Sequence, residues 1–265
     1  MTNHFIIGQY VPGHSLIHRL DPRAKLLIVF AYVFIVFLAN NAVTYAVLSL
    51  FTFAFAALSR IPFSFILRGL KPILWVVLFT LLLHVLMTKE GDVLYRIGAL
   101  SVYEGGIRQG IFISMRFLLL VLITTMLTLT TTPIEVTDGV ESLLSPLKKW
   151  RVPVHELALM MAISLRFIPT LMEETEKIMK AQAARGVDFS GGRFSERMKA
   201  IVSLLVPLFI SSFKRADELA TAMEARGYRG GEGRTKLRQL AWKPADTVLL
   251  AATALLALLL FLLRS

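Results

Sequence analysis

Leu26 to Ser59, LLIVFAYVFIVFLANNAVTYAVLSLFTFAFAALS, runs for 34 residues without a charge. As a single helix it would be about 51 Å long, well beyond the roughly 30 Å hydrocarbon core of a bilayer. The Asn40-Asn41 pair near its middle supplies a turn. The stretch therefore reads as a helical hairpin of two short spans, roughly residues 25–39 and 42–58. Outward from it, a third span covers about 70–88, with Pro72 to Thr88 uncharged, and a fourth about 107–131. The last runs from Thr247 to Leu263, giving about five spans in all. The expected class is an all-α membrane protein.

Composition agrees. Of the 265 residues, 55% are hydrophobic and 18% charged, where a soluble chain carries about 45–50% and about 25%. Mean hydropathy is +0.66. The absence of cysteine excludes disulfides, thiolate metal sites and cysteine catalysis. The first 25 residues hold prolines, glycines and polar groups, not the charged start and apolar core of a removable signal peptide. A net charge of +11 in so apolar a chain points to a cytoplasmic face, not to nucleic acid.

The charges also choose an orientation. With the N-terminus inside, Arg19, Arg23, Lys25, Arg60, Arg68 and Lys71 are cytoplasmic, while Lys89, Arg96, Arg108 and Arg264 lie outside, partly balanced by Glu90, Asp92 and Glu104. The long segment 132–245 falls inside too, with 18 Lys and Arg against 13 Asp and Glu. The expectation is N-inside and C-outside. Three regions follow: residues 1–131 with the first four spans, a cytoplasmic segment 132–245, and the last span within 246–265.

Function is sought in the cytoplasmic segment. Thr132-Pro133 ends the fourth span, a short amphipathic helix follows to about Lys149, and Trp150 to Pro153 breaks the chain. From His155 to Arg185, apolar residues recur at helical spacing, with Pro169 inside the run. Glu173/Lys177 and Glu176/Lys180 mark its solvated face. A loop from Val187 to Phe194 leads into a second long helix, about Ser195 to Arg226, with Pro207 inside. Both helices end alike, as Ala184-Arg185-Gly186 and Ala225-Arg226-Gly227, 41 residues apart. One such ending is a helix C-terminus with glycine at the left-handed position. Two of them, on one side of a membrane protein, make an internal duplication. An arginine at the tip of a rigid helix holds out a five-donor fork, which suits an acidic groove on a partner.

Other motifs fail. No glycine precedes a lysine, so a Walker-type phosphate loop is absent, and Phe189-Ser190-Gly191-Gly192-Arg193 reads as a loop. His14 and His18, with His4 nearby, lack a carboxylate at metal-binding spacing and read as solvated or hydrogen-bonded histidines. His155-Glu156 would need a histidine where Leu159 stands to form a zinc motif. Arg116 inside the fourth span requires a partner or a route to the interface. Gly106 and Gly110 permit close helix packing. A membrane-embedded enzyme built on His84, Arg116 or His155-Glu156 is the rival reading, and no motif joins two of these groups.

With these residues in view, the chain resembles the transmembrane T component of energy-coupling factor transporters, the CbiQ family. The resemblance rests on Gly8-Gln9-Tyr10, His18 to Lys25, Thr131 to Glu135, Asp138-Gly139, Val152-Pro153, Ser164 to Pro169 and, above all, the stretch Ala222 to Tyr228. It implies a non-catalytic membrane scaffold whose coupling helices carry Arg185 and Arg226 into grooves on two ABC-type ATPase subunits. A separate small membrane protein, the S component, would capture the substrate, a vitamin or a transition-metal ion. No cofactor is expected. Met160, Met161, Leu165, Met172, Leu204 and Phe209 are candidates for a pliable surface facing the S component, with packing between the two helices equally open for each.

Overall fold

Asn41 decides how the 34-residue apolar stretch folds. Its side-chain oxygen accepts the Thr44 amide (2.9 Å) and the Thr44 hydroxyl accepts the Asn41 amide (3.1 Å). This reciprocal cap starts helix α2, Ala42–Ser59. Before it, α1 occupies Pro22–Ile35 and passes into a 3-10 turn, Val36–Leu38. The computed structural model describes residues 10–97, 100–189, 191, 193–230 and 239–264. His4, Gly8-Gln9, Ser190 and Gly192 of the sequence reading lie outside these.

Among the described residues, five helices are long and apolar enough to cross a membrane: α2, α3 (Phe63–Met87), α4 (Glu104–Thr130), α6 (Val154–Ala184) and α8 (Pro244–Leu262). The count matches the expectation, but the membership differs. The expected first span is 14 α-helical residues followed by three of 3-10 helix, and it stops where Ala39 turns extended. It packs in the interior of its unit, with Ala24, Ile28, Tyr32 and Val36 all buried. Conversely, α6 qualifies by length and composition, since the charges of its second half leave its first half strongly apolar. Helix α3 also begins earlier than read and takes in Arg68, Lys71 and Pro72.

The connection after α3 contains a β-hairpin of β1 (Val93–Ile97) and β2 (Leu100–Tyr103). The strands are antiparallel, pairing Val93 with Tyr103 and Ile97 with Leu100. They join α3 to α4, whose axes run antiparallel and close. A Cβ on Gly106 would stand 2.9 Å from the His84 carbonyl, and one on Gly110 3.1 Å from Leu81. The GxxxG pair thus has a packing role.

Among the described residues, those within Met1–Leu143 and Gln239–Ser265 form one compact unit and those within Leu144–Arg238 the other. The first is centred on Tyr32, Leu48, Leu119, Ile123, Met126 and Leu260, with Tyr32 and Thr52 hydroxyls 2.6 Å apart in the interior. It also includes most of α5 (Pro133–Leu144). There Gly139 lies against Leu26 and Pro22 so tightly that a Cβ would meet Leu26 at 2.9 Å.

The second unit is a pair of long helices, α6 and α7 (Phe194–Ala225), preceded by a 3-10 segment, Ser145–Trp150. They run antiparallel. Gln182 donates to the Ser203 carbonyl (3.0 Å), and Glu174 accepts Ser211 (2.6 Å) and Arg215 (3.3 Å). The Arg215 guanidinium lies over the Phe167 ring, 5.8 Å from its centroid. Partners on α7 move forward as those on α6 move back.

Candidate functional site

The two Ala-Arg-Gly endings have the same construction. Arg185 closes α6 at φ −86°, ψ 6°, and Arg226 closes α7 at φ −86°, ψ 6°. Each is followed by a left-handed glycine, Gly186 at φ +88° and Gly227 at φ +76°. The Gly186 amide donates to Ala183 (3.0 Å) and Val187 to Gln182 (3.0 Å); Gly227 donates to Glu224 (2.8 Å) and Tyr228 to Met223 (3.0 Å). Both are Schellman caps, in which the freed carbonyls of the last turn are satisfied by backbone alone. Only the glycines require their residue type, because a side chain at positive φ strains the backbone. Gly186→Ala and Gly227→Ala should each cost about 1 kcal/mol of local stability. The expected result is roughly fivefold faster hydrogen exchange at the Val187 or Tyr228 amide. Unchanged protection would show that the caps do not depend on glycine.

The arginines themselves do no work inside the cap. Arg185 and Arg226 are exposed, as are Ala184, Gly186, Ala225 and Gly227. Neither guanidinium has a hydrogen-bonding or ionic partner among the described residues. The antiparallel pairing sends them to opposite ends. Gln182 sits level with Ser203, so about 39 Å of α7 axis, at 1.5 Å per residue, separates the level of Arg185 from Arg226.

Between the tips the pair keeps much apolar surface uncovered. Met160, Met161, Met172 and Phe209 are exposed, with Ile210 (66%) and Phe213 (74%) beside Phe209 in sequence. Leu165 and Leu204, named with them from sequence, are half-buried. A cleft of about 330 Å³ opens between Ile163, Phe167 and Leu171 on α6 and Leu219, Ala220 and Met223 on α7.

The residues of the rival reading are not brought together. His84 is held against its own helix by the Thr80 carbonyl, 2.8 Å away. Arg116 donates to the Ala39 carbonyl (3.2 Å) and lies over the Phe37 ring, 5.1 Å from its centroid, so it closes the end of the α1 segment. His18 is bonded to Ser15 (2.6 Å) and to the Val11 carbonyl (3.0 Å). Glu156 is exposed. Among the described residues no three His, Asp or Glu side chains cluster as metal ligands.

Sequence reasoning missed a buried polar clamp in the first unit. Asp246 is wholly buried. One of its oxygens accepts the Asp21 amide (2.8 Å) and the other the Lys243 amide (2.7 Å), so a single carboxylate caps α8 and ties it to the start of α1. Lys25, 2% exposed, donates to the Thr130 carbonyl at the end of α4 (2.9 Å). Asp21 accepts the Arg23 amide (2.9 Å) and pairs with its guanidinium (2.9 Å), and Arg23 reaches Ser142 on α5 (3.3 Å). The Asp21-Pro22 start signal was visible, but its partner lies 225 positions away.

Burial pushes the Asp21 carboxyl up, but the Arg23 side-chain hydrogen bond, amide and charge, with the charge of Lys243, outweigh it and hold the pKa below its ordinary 3.8. A lowered folded-state pKa stabilises above the unfolded value, near 3.9, and that stability fades as pH falls through the folded value. Asp21→Asn should therefore lower thermal stability at pH 7 and flatten its decline below about pH 4. Parallel melting curves from pH 7 to pH 3 would refute the assignment.

Residues 13–237 match the family model CbiQ, described as cobalt transport protein. The chain is 67% identical over all 265 residues to the energy-coupling factor transporter transmembrane protein EcfT of Bacillus subtilis (strain 168), covering 100% of both chains. The protein so named in Listeria innocua serovar 6a is 56% identical over 265 residues, again covering 100% of both. That of Lactococcus lactis subsp. cremoris is 48% identical over 257 residues, 97% of each chain.

Proposed function

We propose that this chain, which belongs to the CbiQ family and is a multi-pass transmembrane component of an energy-coupling factor transporter, passes the motion of two ABC-type ATPase subunits to a small substrate-binding S component. The observation that carries the reading is the pair of matching arginine caps, exposed at opposite ends of one antiparallel helix pair. Each guanidinium projects from a helix end that needs nothing from it. Each is thus available for a planar, bidentate contact with carboxylates in an ATPase groove.

The helix pair suits a transmitter. Two helices of 31 and 32 residues, braced by the Glu174–Arg215–Ser211 contacts, move as levers when their tips are drawn together or apart. Their uncovered methionines and aromatic residues offer a deformable apolar surface to the S component, and methionine adapts to more than one partner. Arg185 and Arg226 then face the cytoplasm with the N-terminus, and the C-terminus lies outside, in keeping with the distribution of Lys and Arg. The cargo, a vitamin or a transition-metal ion, binds in the S component. ATP hydrolysis belongs to the partner chains.

Affinity purification of the tagged chain from mild-detergent membranes, followed by mass spectrometry, tests the reading. The expected recovery is two ABC-type ATPase chains and one small hydrophobic membrane protein. A chain that emerges alone would overturn it.

A further inference from the structure

The two caps share one backbone geometry but not one set of charges. Aligned on the arginine, Ala183-Ala184-Arg185-Gly186-Val187-Asp188 meets Glu224-Ala225-Arg226-Gly227-Tyr228-Arg229. The arginines have the same φ and ψ, the glycines are both left-handed, and the same two backbone bonds close each turn. Positions up to Val187 and Tyr228 therefore occupy equivalent places around the arginine, and Asp188 and Arg229 follow them directly. At the third position after it, one copy carries a carboxylate and the other a guanidinium, both exposed. Two positions before the arginine, one copy has Ala183 and the other Glu224, again both exposed.

A surface that accepts one of these tips meets the wrong charge in the other. Beside the shared arginine site, Arg229 calls for a carboxylate, and a carboxylate there would repel Asp188. Asp188 keeps its negative charge while it accepts the Gly191 amide, so a cation beside it is favoured, and a cation there would repel Arg229. Like charges brought face to face at an interface cost far more than rim pairs contribute, so this is a device for rejecting the wrong partner. That Gly191 hydrogen bond (3.2 Å) helps to hold the Asp188 carboxylate in place.

We infer that Asp188 and Arg229 are the residues by which the two tips choose different sockets: a socket with an added carboxylate for the Arg226 tip, and one with a basic or N–H-donating group at that place for the Arg185 tip. The inference rests on the proposed docking of both tips to ATPases. It requires the two ATPase partners to be different chains, each held at its own end of the helix pair.

The test uses the transporter complex purified from membranes, with its ATPases separated and added back in known amounts to the membrane component in nanodiscs. A photo-crosslinking residue at Val187 should capture one ATPase and one at Tyr228 the other. Asp188→Arg should weaken the first ATPase at least about tenfold and spare the second, and Arg229→Asp should do the reverse. Asp188→Asn keeps an acceptor for the Gly191 amide while removing the charge, and should fall between wild type and Asp188→Arg. With both reversals together, the crosslinks should exchange ends. Capture of a single ATPase species at both positions overturns the inference. So do reversals that leave both affinities within about twofold while loss of Arg185 and Arg226 abolishes binding. If loss of the arginines changes nothing, the docking reading itself is wrong.

Discussion

Replacing Arg185 and Arg226 together by alanine should leave the chain folded in the membrane and strip it of its ATPases. The fold is spared because both caps are closed by backbone bonds, from Gly186 and Val187 in one and Gly227 and Tyr228 in the other. Alanine is at least as good a helix former as the arginine it replaces. Both arginines are exposed in the isolated chain, so nothing within it collapses when they go. Docking suffers because truncating one side of a buried, hydrogen-bonded charge pair costs about 3–5 kcal/mol. That is a loss of roughly 10²- to 4 × 10³-fold in affinity per tip, and the two losses fall on one assembly. Arg185→Lys or Arg226→Lys should recover only part, since a point charge does not replace a planar fork. Co-elution of ATPases with the membrane component, and uptake by cells carrying the variant, are the measurements. Normal co-elution and uptake in the double variant would reduce the tips to helix ends.

What was legible in the sequence follows from where each signal resides. The long helices were read as His155 to Arg185 and Ser195 to Arg226, and they are found at Val154–Ala184 and Phe194–Ala225. Their apolar spacing and their Gly-terminated ends are local, so neighbouring residues suffice to place them. The Asn40-Asn41 turn was equally local, and Asn41 is a cap. The Arg-Gly repeat could be counted without a structure, although the identity of the two cap geometries could not. Other features depend on contacts between distant parts of the chain. Lys25 was counted among the cations flanking a span, yet it is buried with its ammonium on the Thr130 carbonyl. Helix α1 was read as the first half of a helical hairpin, and its end was placed at the Asn40-Asn41 turn. Its shortness is set by the turn at Ala39, where the Arg116 guanidinium donates to the free carbonyl. Asp246 stands just before the last apolar run, Thr247 to Leu263. Nothing in its neighbourhood announces that its second oxygen serves the amide of Asp21.

That second oxygen makes Asp246 the residue whose loss should most damage the membrane unit. In Asp246→Ala the amides of Asp21 and Lys243 both lose their acceptor, in a place that Asp246, wholly buried, and Asp21, nearly so, keep from water. Arg23 loses an attractive carboxylate as well. Hydrogen bonds to a charged group contribute about 1.5–3 kcal/mol each, and a buried donor left without a partner is costly in itself. The combined cost is about 3 kcal/mol or more, which for a chain of this size corresponds to a fall of roughly 6–12 °C in Tm. Asp246→Asn should fall less, because the amide oxygen still serves one backbone N–H while its NH2 confronts the other. Thermal unfolding of the purified chain in detergent reads both variants, and a shift under about 2 °C for Asp246→Ala would refute the clamp. The two sets of variants separate stability from docking: loss of the tip arginines should change partner binding at constant Tm, whereas loss of Asp246 should lower Tm before any partner is added.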